Sequence, residues 1–196
     1  MNVIRLPLHR ARKHPILCFL DLQLEYVAEG RTLAVETMDP WAANCRALLA
    51  FARQRRMPIA HFRLLQRGPL FNPATGFAGW IEEFRPRPSE MLFERAMPSC
   101  YSAPQFPMMT DHFDDPCLVL VGLTSTGSCL ATVMEAQQRG HSCLFVSDAS
   151  WGPPIGTASE AASHRFATDL IGQYCDVTST GGLMEWLTKE TLGIAS

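Results

Sequence analysis

The sequence predicts a three-layer α/β/α fold, in which helices cover both faces of a central, mostly parallel sheet of six strands. Short apolar runs recur along the chain, and amphipathic segments of helical length separate most of them. A strand, a crossover helix and a second strand in series imply a right-handed connection and parallel pairing. With 196 residues, 47% of them hydrophobic, we expect one domain over 1–196 that begins with an N-terminal arm over 1–14.

The predicted strands are short, mainly apolar runs, and they cover 15–21, 58–65, 90–95, 117–123, 142–149 and 175–179. The predicted helices show apolar residues at helical spacing and cover 38–56, 128–140, 157–174 and 180–192. Asp39 suits the N-cap of the first helix and Pro40 its first turn, and Gly140 is suited to the end of the second helix. The segment from Gly68 to Pro88 is predicted to be a long functional or mobile loop.

Composition narrows the classes of function. A net charge of −2 argues against a nucleic-acid partner, and the basic cluster at 9–14 is typical of a solvated arm. No apolar stretch approaches the roughly 20 residues that a membrane span needs. The seven cysteines are odd in number and contain no CxxC pair, which favours reduced, buried thiols in a cytoplasmic protein. We expect a small-molecule substrate and no cofactor.

Ligands of open α/β sheets bind beyond the carboxyl ends of the strands. This rule selects a set of polar residues and one turn: Asp21, His61, Arg63, Arg95, Asp148 and the turn 124–129. The turn places Ser128 and Cys129 side by side where a strand passes into a helix, which is a good position for a nucleophile. Each also has a structural interpretation, because Ser128 could cap the helix and Cys129 could belong to the core. For Asp148 we expect a structural role.

Three stretches resemble one known family. "FLDLQLEY" is similar to a first strand that ends in Asp-x-Gln, "NCRALLAFARQRRMPIAHFR" to the helix and strand that follow, and "VGLTSTGSCLATVMEAQQRGHSCLFVSDA" to the longest signature. The family is the isochorismatase-like hydrolase superfamily, which includes nicotinamidases, N-carbamoyl amidohydrolases and isochorismatases. The resemblance runs from about residue 15 to 180 and implies that Asp21 is the catalytic aspartate.

Two departures from the family pattern concern catalysis. In thiol-dependent members the nucleophilic cysteine stands at fixed intervals from five other positions of the signature. Those intervals select Ser128, and not Cys129, when they are counted from Gly122, Thr132, Ala136, Gly140 and Asp148. The family's catalytic lysine precedes a Ser-Ala-Phe by four residues, and here Arg95 stands four residues before Ser99-Cys100-Tyr101.

These departures leave three hypotheses open. A serine hydroxyl is far less acidic than a thiol and normally needs a base such as histidine, which His61 could supply in space. The first hypothesis is therefore hydrolysis without a covalent intermediate, with Ser128 in the nucleophile's place. The second is a thiol hydrolase that uses Cys129, and the third is a silent member that binds a small ligand. We expect an Asp21–Arg95 pair to keep the carboxylate ionised.

The walls of the pocket are expected to come from the turn and from the aromatic loop. Thr124 and Gly127 belong to the turn, and a flat or carbonyl-bearing ligand could be enclosed by Phe71, Phe77, Trp80 and Tyr101. Some nicotinamidases hold a metal through an Asp-x-His after the second strand. No aspartate precedes His61 in this way, so we predict no catalytic metal. The resemblance also implies a homo-oligomer, a dimer or higher.

Overall fold

A computed structural model of the protein describes residues 14–191 and contains a six-stranded sheet in the order β3-β2-β1-β4-β5-β6. All neighbouring strands pair in parallel. The strands are β1 (His14–Leu20), β2 (Ile59–Leu64), β3 (Met91–Arg95), β4 (Pro116–Leu123), β5 (Ser142–Trp151) and β6 (Asp176–Thr178). The helices are α1 (Trp41–Gln54), α2 (Gln105–Thr110), α3 (Leu130–Gln138), α4 (Glu160–Ile171) and α5 (Thr180–Thr191).

Two apolar cores lie on opposite faces of this sheet. On one face, alternate residues of β1 such as Leu17 and Phe19 pack with α1 and α5. On the other, Ile16, Cys18 and Leu20 pack with residues of α2, α3 and α4. Burial on both faces is the reason that β1 and β4 read as continuous apolar runs rather than alternating ones. The predicted three-layer α/β/α fold is confirmed.

The predicted strands and helices are found close to their expected positions, with some differences. The first helix begins at Trp41, so the expected N-cap at Asp39 is wrong: Pro40 occupies the cap position and no side chain caps the helix. Helix α2 was not predicted, because its six residues are too short to show a period. Strand β5 continues to Trp151, beyond the expected end at 149. The predicted arm lies outside the described residues up to position 13, and His14 already belongs to β1.

Gly122 allows β4 to approach β1 closely just before the turn. Its φ of +108° lies in a region that side chains rarely adopt, and a Cβ built there would lie 2.3 Å from the Leu20 carbonyl oxygen. The pairing of β4 with β5 also shifts register between Leu120 and Gly122. The glycine therefore sets the direction in which the chain leaves β4.

The long loop between β2 and β3 is fastened to the segment after β1. Glu25 is buried and forms an ion pair of 2.6 Å with Arg31, and its other carboxylate oxygen accepts a hydrogen bond of 3.2 Å from the Phe71 backbone N–H. Arg31 also donates to the Pro69 carbonyl and lies over the Phe77 ring. The loop is thus ordered against the end of the sheet at which the predicted site lies.

None of the helices in the range 14–191 has the length and apolar character to cross a bilayer.

Candidate active site

Asp21 follows directly after β1 in a left-handed backbone conformation with φ of 48°. Aspartate tolerates this region better than most residues. Its N–H donates to the Phe62 carbonyl at 2.9 Å, which continues the pairing with β2. The buried Gln23 side chain fastens the segment after β1 to the end of β2 and to the loop that follows. It donates to the carbonyls of Leu64 and Ala78 and accepts from the Leu64 N–H. The Asp21 carboxylate is therefore held on a fixed backbone.

Asp21, Arg95 and Ser128 meet at the carboxyl ends of the strands. The Arg95 Nη2 donates to Asp21 Oδ2 at 2.6 Å and to Ser128 Oγ at 3.1 Å, and the Ser128 hydroxyl donates to the same Asp21 Oδ2 at 2.6 Å. A further hydrogen bond of 2.7 Å joins Arg95 Nη1 to the Met97 carbonyl. Since β2 lies between β3 and β1, the long arginine side chain is needed to reach Asp21 from the end of β3.

The charges of this trio are almost completely withdrawn from solvent. Burial raises the pKa of the Asp21 carboxyl above its ordinary value, and the Arg95 charge and the Ser128 hydrogen bond oppose this only in part. Arg95 lowers the pKa of this carboxyl, which is the direction expected from the sequence, but burial has the larger effect. Burial lowers the pKa of Arg95, but the Asp21 charge and its other partners together raise it by more. The net shift is upward, so the guanidinium stays charged. Asp21 Oδ1 and Arg95 Nε are buried without a hydrogen-bond partner among the described residues.

The turn after β4 forms one turn of π-helix, Ser125–Cys129, which leads directly into α3. The Thr124 carbonyl accepts hydrogen bonds from the N–H groups of Gly127 at 3.3 Å and Cys129 at 3.0 Å. A Cβ at Gly127 would lie 2.7 Å from Thr124 Oγ1, so any side chain there would have to displace this hydroxyl. π-Helical turns occur frequently at functional sites. The Ser128 hydroxyl points to Asp21 and does not cap α3.

Cys129 faces the opposite way from Ser128. Its side chain is fully buried in the apolar core that includes Val133 and Phe145. Burial raises the pKa of the Cys129 thiol well above its ordinary value, and a hydrogen bond with the Ser150 side chain opposes this only weakly. A thiol that is both buried and difficult to ionise is a poor nucleophile. The geometry therefore favours Ser128 over Cys129 as the residue that acts beside Asp21.

A serine–histidine pair on the turn was not expected from the sequence. Ser125 Oγ lies 3.0 Å from His164 Nδ1, and the His164 ring packs against Trp151 with 4.8 Å between ring centroids. Burial lowers the pKa of His164 below its ordinary value, which favours the neutral imidazole. The contact of His164 with Ser125 fixes the turn from the side of α4.

The other residues predicted for the pocket have partners elsewhere. His61 stacks on Phe19, and its Nε2 lies 2.9 Å from Glu90 Oε2. Trp80 packs edge-on against the His61 ring. Because the His61 ring is engaged by Glu90 and Phe19, it does not supply a base to Ser128. Of the other three aromatic residues, Phe71 is buried against Tyr26 and Tyr101 is buried in contact with His141 and Phe106. Phe77 is half-buried and lies under the Arg31 guanidinium.

Asp148 has the expected structural role, since its Oδ1 accepts hydrogen bonds from the N–H and hydroxyl of Thr180 at the start of α5. No three His, Cys, Asp or Glu side chains within 14–191 are placed to hold a metal ion together.

Gln23 is the site residue that sequence reasoning did not single out. The Asp-x-Gln motif was the signal that could have identified it.

Known proteins resemble this chain in sequence and in fold. The model of the isochorismatase domain matches residues 15–181. The isochorismatase family protein YddQ of Bacillus subtilis is 24% identical over 177 residues, which are 86% of this chain and 98% of that protein. The crystal structure of an isochorismatase from Pseudomonas putida superposes with a TM-score of 0.78 at 26% identity, and it covers 87% of this chain and 90% of its own.

A cysteine hydrolase from Pseudomonas syringae shares the fold with a TM-score of 0.81 at 15% identity, over 97% of this chain and 99% of its own. The family model spans most of the described residues, including both strands and the turn from which Asp21, Arg95 and Ser128 come. The chain belongs to the isochorismatase family, a family of hydrolases.

Proposed function

We propose that the protein hydrolyses a small carbonyl-containing metabolite, of the amide, N-carbamoyl or enol-ether type, without a covalent thioester. The observation that supports this most directly is the 2.6 Å hydrogen bond from the Ser128 hydroxyl to Asp21 Oδ2, beside the Arg95 guanidinium. Ser128 and Arg95 stand where a thiol hydrolase of the family has its cysteine and lysine, so this arrangement has no thiolate. The proposal therefore assigns the proton transfer to Asp21.

The two carboxylate oxygens of Asp21 have different surroundings, and these suggest different roles. Oδ2 is occupied by Arg95 and Ser128, whereas Oδ1 is buried without a partner among residues 14–191. Oδ1 is then the atom free to accept a proton from an attacking water, while Oδ2 and its partners hold the carboxylate in place. A carboxylate is too weak a base to convert a serine hydroxyl into an alkoxide, so Ser128 is not assigned the role of nucleophile. Its hydroxyl instead orients the Asp21 carboxylate through their hydrogen bond.

The substrate is proposed to enter beside the ends of β2 and β3. A cavity of about 580 Å³ lies there, lined by Leu65, Gln66, Arg67, Asn72, Pro73 and Ala96. Ala96 directly follows Arg95 in the chain, and the Leu65 N–H donates to the Arg95 carbonyl at 2.8 Å. The volume is in the range of small-molecule sites, roughly 300–1,000 Å³. Arg67 would favour substrates that carry a negative charge.

The test is turnover of a panel of amides, N-carbamoyl compounds and enol ethers by the parent protein and by Asp21→Asn. We expect at least one substrate class to be hydrolysed by the parent, and a loss of roughly 10²–10⁴-fold in the variant, the range that general acid–base groups contribute. Asp169→Asn, at an exposed position of α4, is the matched control and should keep full activity. Ligand binding by the parent without any turnover would instead support a silent, ligand-binding member.

The pH dependence separates the substrate types. If Asp21 acts as a base on an amide or N-carbamoyl group, activity requires the ionised carboxylate and falls as pH decreases through its pKa. Because burial raises the pKa of Asp21, this decrease should lie above the pH of about 4 that is usual for aspartate. Hydrolysis of an enol ether needs the protonated acid, so activity would instead fall as pH rises through the same pKa.

The remaining features are part of the same proposal. We infer one domain over residues 1–196 that acts in the cytoplasm as a homo-oligomer and without a metal. Strand β3 lies at the edge of the sheet and exposes Leu92, and Met97 just beyond it is 62% exposed, which supports association at this edge. Light scattering after size exclusion tests the oligomer, and unchanged turnover after treatment with a chelator tests metal independence.

A further inference from the structure

A second cavity lies at the other end of the sheet from Asp21. It has a volume of about 500 Å³ and opens where α1 ends and where β2 and β3 begin. Three arginines line it: Arg53 from the last turn of α1, Arg56 just beyond that helix, and Arg87 from the segment before β3. The predicted chemistry at the carboxyl ends of the strands does not use these residues. The proposed hydrolytic site therefore does not account for the three guanidinium groups around this cavity.

One of the three arginines is held in place by a buried network. Glu90 accepts hydrogen bonds of 2.6 and 3.0 Å from Arg53, and its Oε2 also lies 2.9 Å from His61 Nε2. The Arg87 N–H donates to the same oxygen at 2.9 Å, which fixes the backbone that carries the Arg87 side chain. Burial raises the pKa of Glu90, but Arg53 and the Arg87 N–H together lower it to about 2. The wall of the cavity is thus ordered around a permanent carboxylate.

The other two guanidinium groups are not neutralised in this way. Arg56 and Arg87 are exposed, and neither side chain forms an ion pair or hydrogen bond with another residue in the described part of the chain. Three positive charges face one negative charge, that of Glu90, so the cavity keeps a positive excess. In a protein with a net charge of −2, this is a local concentration of charge and not an average property of the surface.

The floor of the cavity is apolar, which restricts the kind of anion that fits. Met57 and Ile59 at the start of β2 and Met91 at the start of β3 line it, and Ser89 adds a hydroxyl. Arginine binds carboxylate and phosphate oxygens in a bidentate manner. A broad basic surface for nucleic acid would not need a concave apolar floor. We propose that this cavity binds a small organic anion, with a phosphate or carboxylate head on Arg56 and Arg87 and an apolar body on the methionines.

The test is calorimetric titration of the full-length protein with phenyl phosphate, benzoate and inorganic phosphate. We expect phenyl phosphate or benzoate to bind more tightly than inorganic phosphate, because only the first two occupy the apolar floor. The better of the two identifies the head group. Arg56→Gln and Arg87→Gln should each weaken binding roughly tenfold, since each removes a charge-assisted hydrogen bond. Higher salt should weaken binding as well.

Two variants separate this cavity from other sites. Arg165→Gln removes an exposed arginine of α4 and should leave binding unchanged. Arg67→Gln removes the arginine of the proposed substrate cavity, so a loss of binding in this variant alone would show that the anion occupies the substrate site and would overturn the proposal. Absence of binding at millimolar concentrations of all three probes would also overturn it. None of these results depends on whether the protein turns over a substrate.

Discussion

Replacing Arg95 by methionine tests whether the buried trio is held together by charge. Methionine keeps much of the length and volume of the arginine but removes the guanidinium that bonds to Asp21, Ser128 and the Met97 carbonyl. Asp21 would then stay fully buried, with the Ser128 hydroxyl as its remaining side-chain partner. A buried carboxylate without a counter-charge is the costly product of this change.

The expected loss is large for a single substitution. Breaking a buried ion pair from one side costs about 3–5 kcal/mol of the free energy of unfolding. For a domain of this size each kcal/mol shifts the melting temperature by about 2–4 °C, so we expect a decrease of roughly 6–20 °C at neutral pH. The loss should shrink as pH falls, because a carboxyl with a raised pKa destabilises the folded state only when it is ionised.

The assay is urea unfolding of the parent, Arg95→Met, Asp21→Asn and the double variant at several pH values. The double variant should recover a large part of the loss, since the neutral amide needs no counter-charge. Arg85→Met is the matched control, because Arg85 pairs with Glu82 on the surface and such pairs contribute about 0–1 kcal/mol. A loss below about 1 kcal/mol for Arg95→Met, or strict additivity of the two single variants, would refute the reasoning.

Three further predictions follow from other contacts. Iodoacetamide should leave the parent active, because the Cys129 thiol lies in the apolar core and its pKa is raised by burial. Ser128→Cys should become sensitive, because the new thiol would lie beside the Arg95 guanidinium, which favours the thiolate; inactivation of the parent would contradict this. Gly122→Ala should cost about 3 kcal/mol or more in urea unfolding from backbone strain and overpacking, while Gly68→Ala, with open space around it, should be nearly neutral. The pKa of Glu90 is lowered to about 2, so its contribution to the free energy of unfolding disappears as pH falls from about 4.5 to 2. Glu90→Gln should therefore lose less stability than the parent over this pH range. An unchanged acid-unfolding curve would show that the carboxylate contributes nothing.

The sequence was sufficient to predict the sheet because its strands are buried on both faces. A strand such as β4, buried at every residue, has no alternation and reads as a continuous apolar run. The position of Ser128 was predicted from the resemblance to the family's signature, whose intervals along the chain select it. Asp21 and Arg95 followed from the rule that parallel strands end at one edge.

Contacts between distant side chains could not be predicted in the same way. The pairing of Ser125 with His164 joins residues 39 apart on two different helical segments, and no periodic pattern marks it. His61 was selected as a residue at the end of a strand, but it is the third residue of β2 (Ile59–Leu64). It points into the core and not toward the turn, because the register of β2 places it beside Phe19. The net effect of burial on the Asp21 pKa likewise depends on how many atoms surround it, which a sequence does not state.

The trio is assembled from parts of the chain that are far apart. Asp21 and Arg95 are 74 residues apart, and Asp21 and Ser128 are 107 apart. Contacts of such long range form only after large loops have closed, which makes them slow steps in folding. Strand β3 supplies the arginine and is also the outermost strand on its side of the sheet. Detachment of this one strand would remove the charge from the site while the other five stayed paired, so catalytic competence should be lost before the bulk of the sheet unfolds.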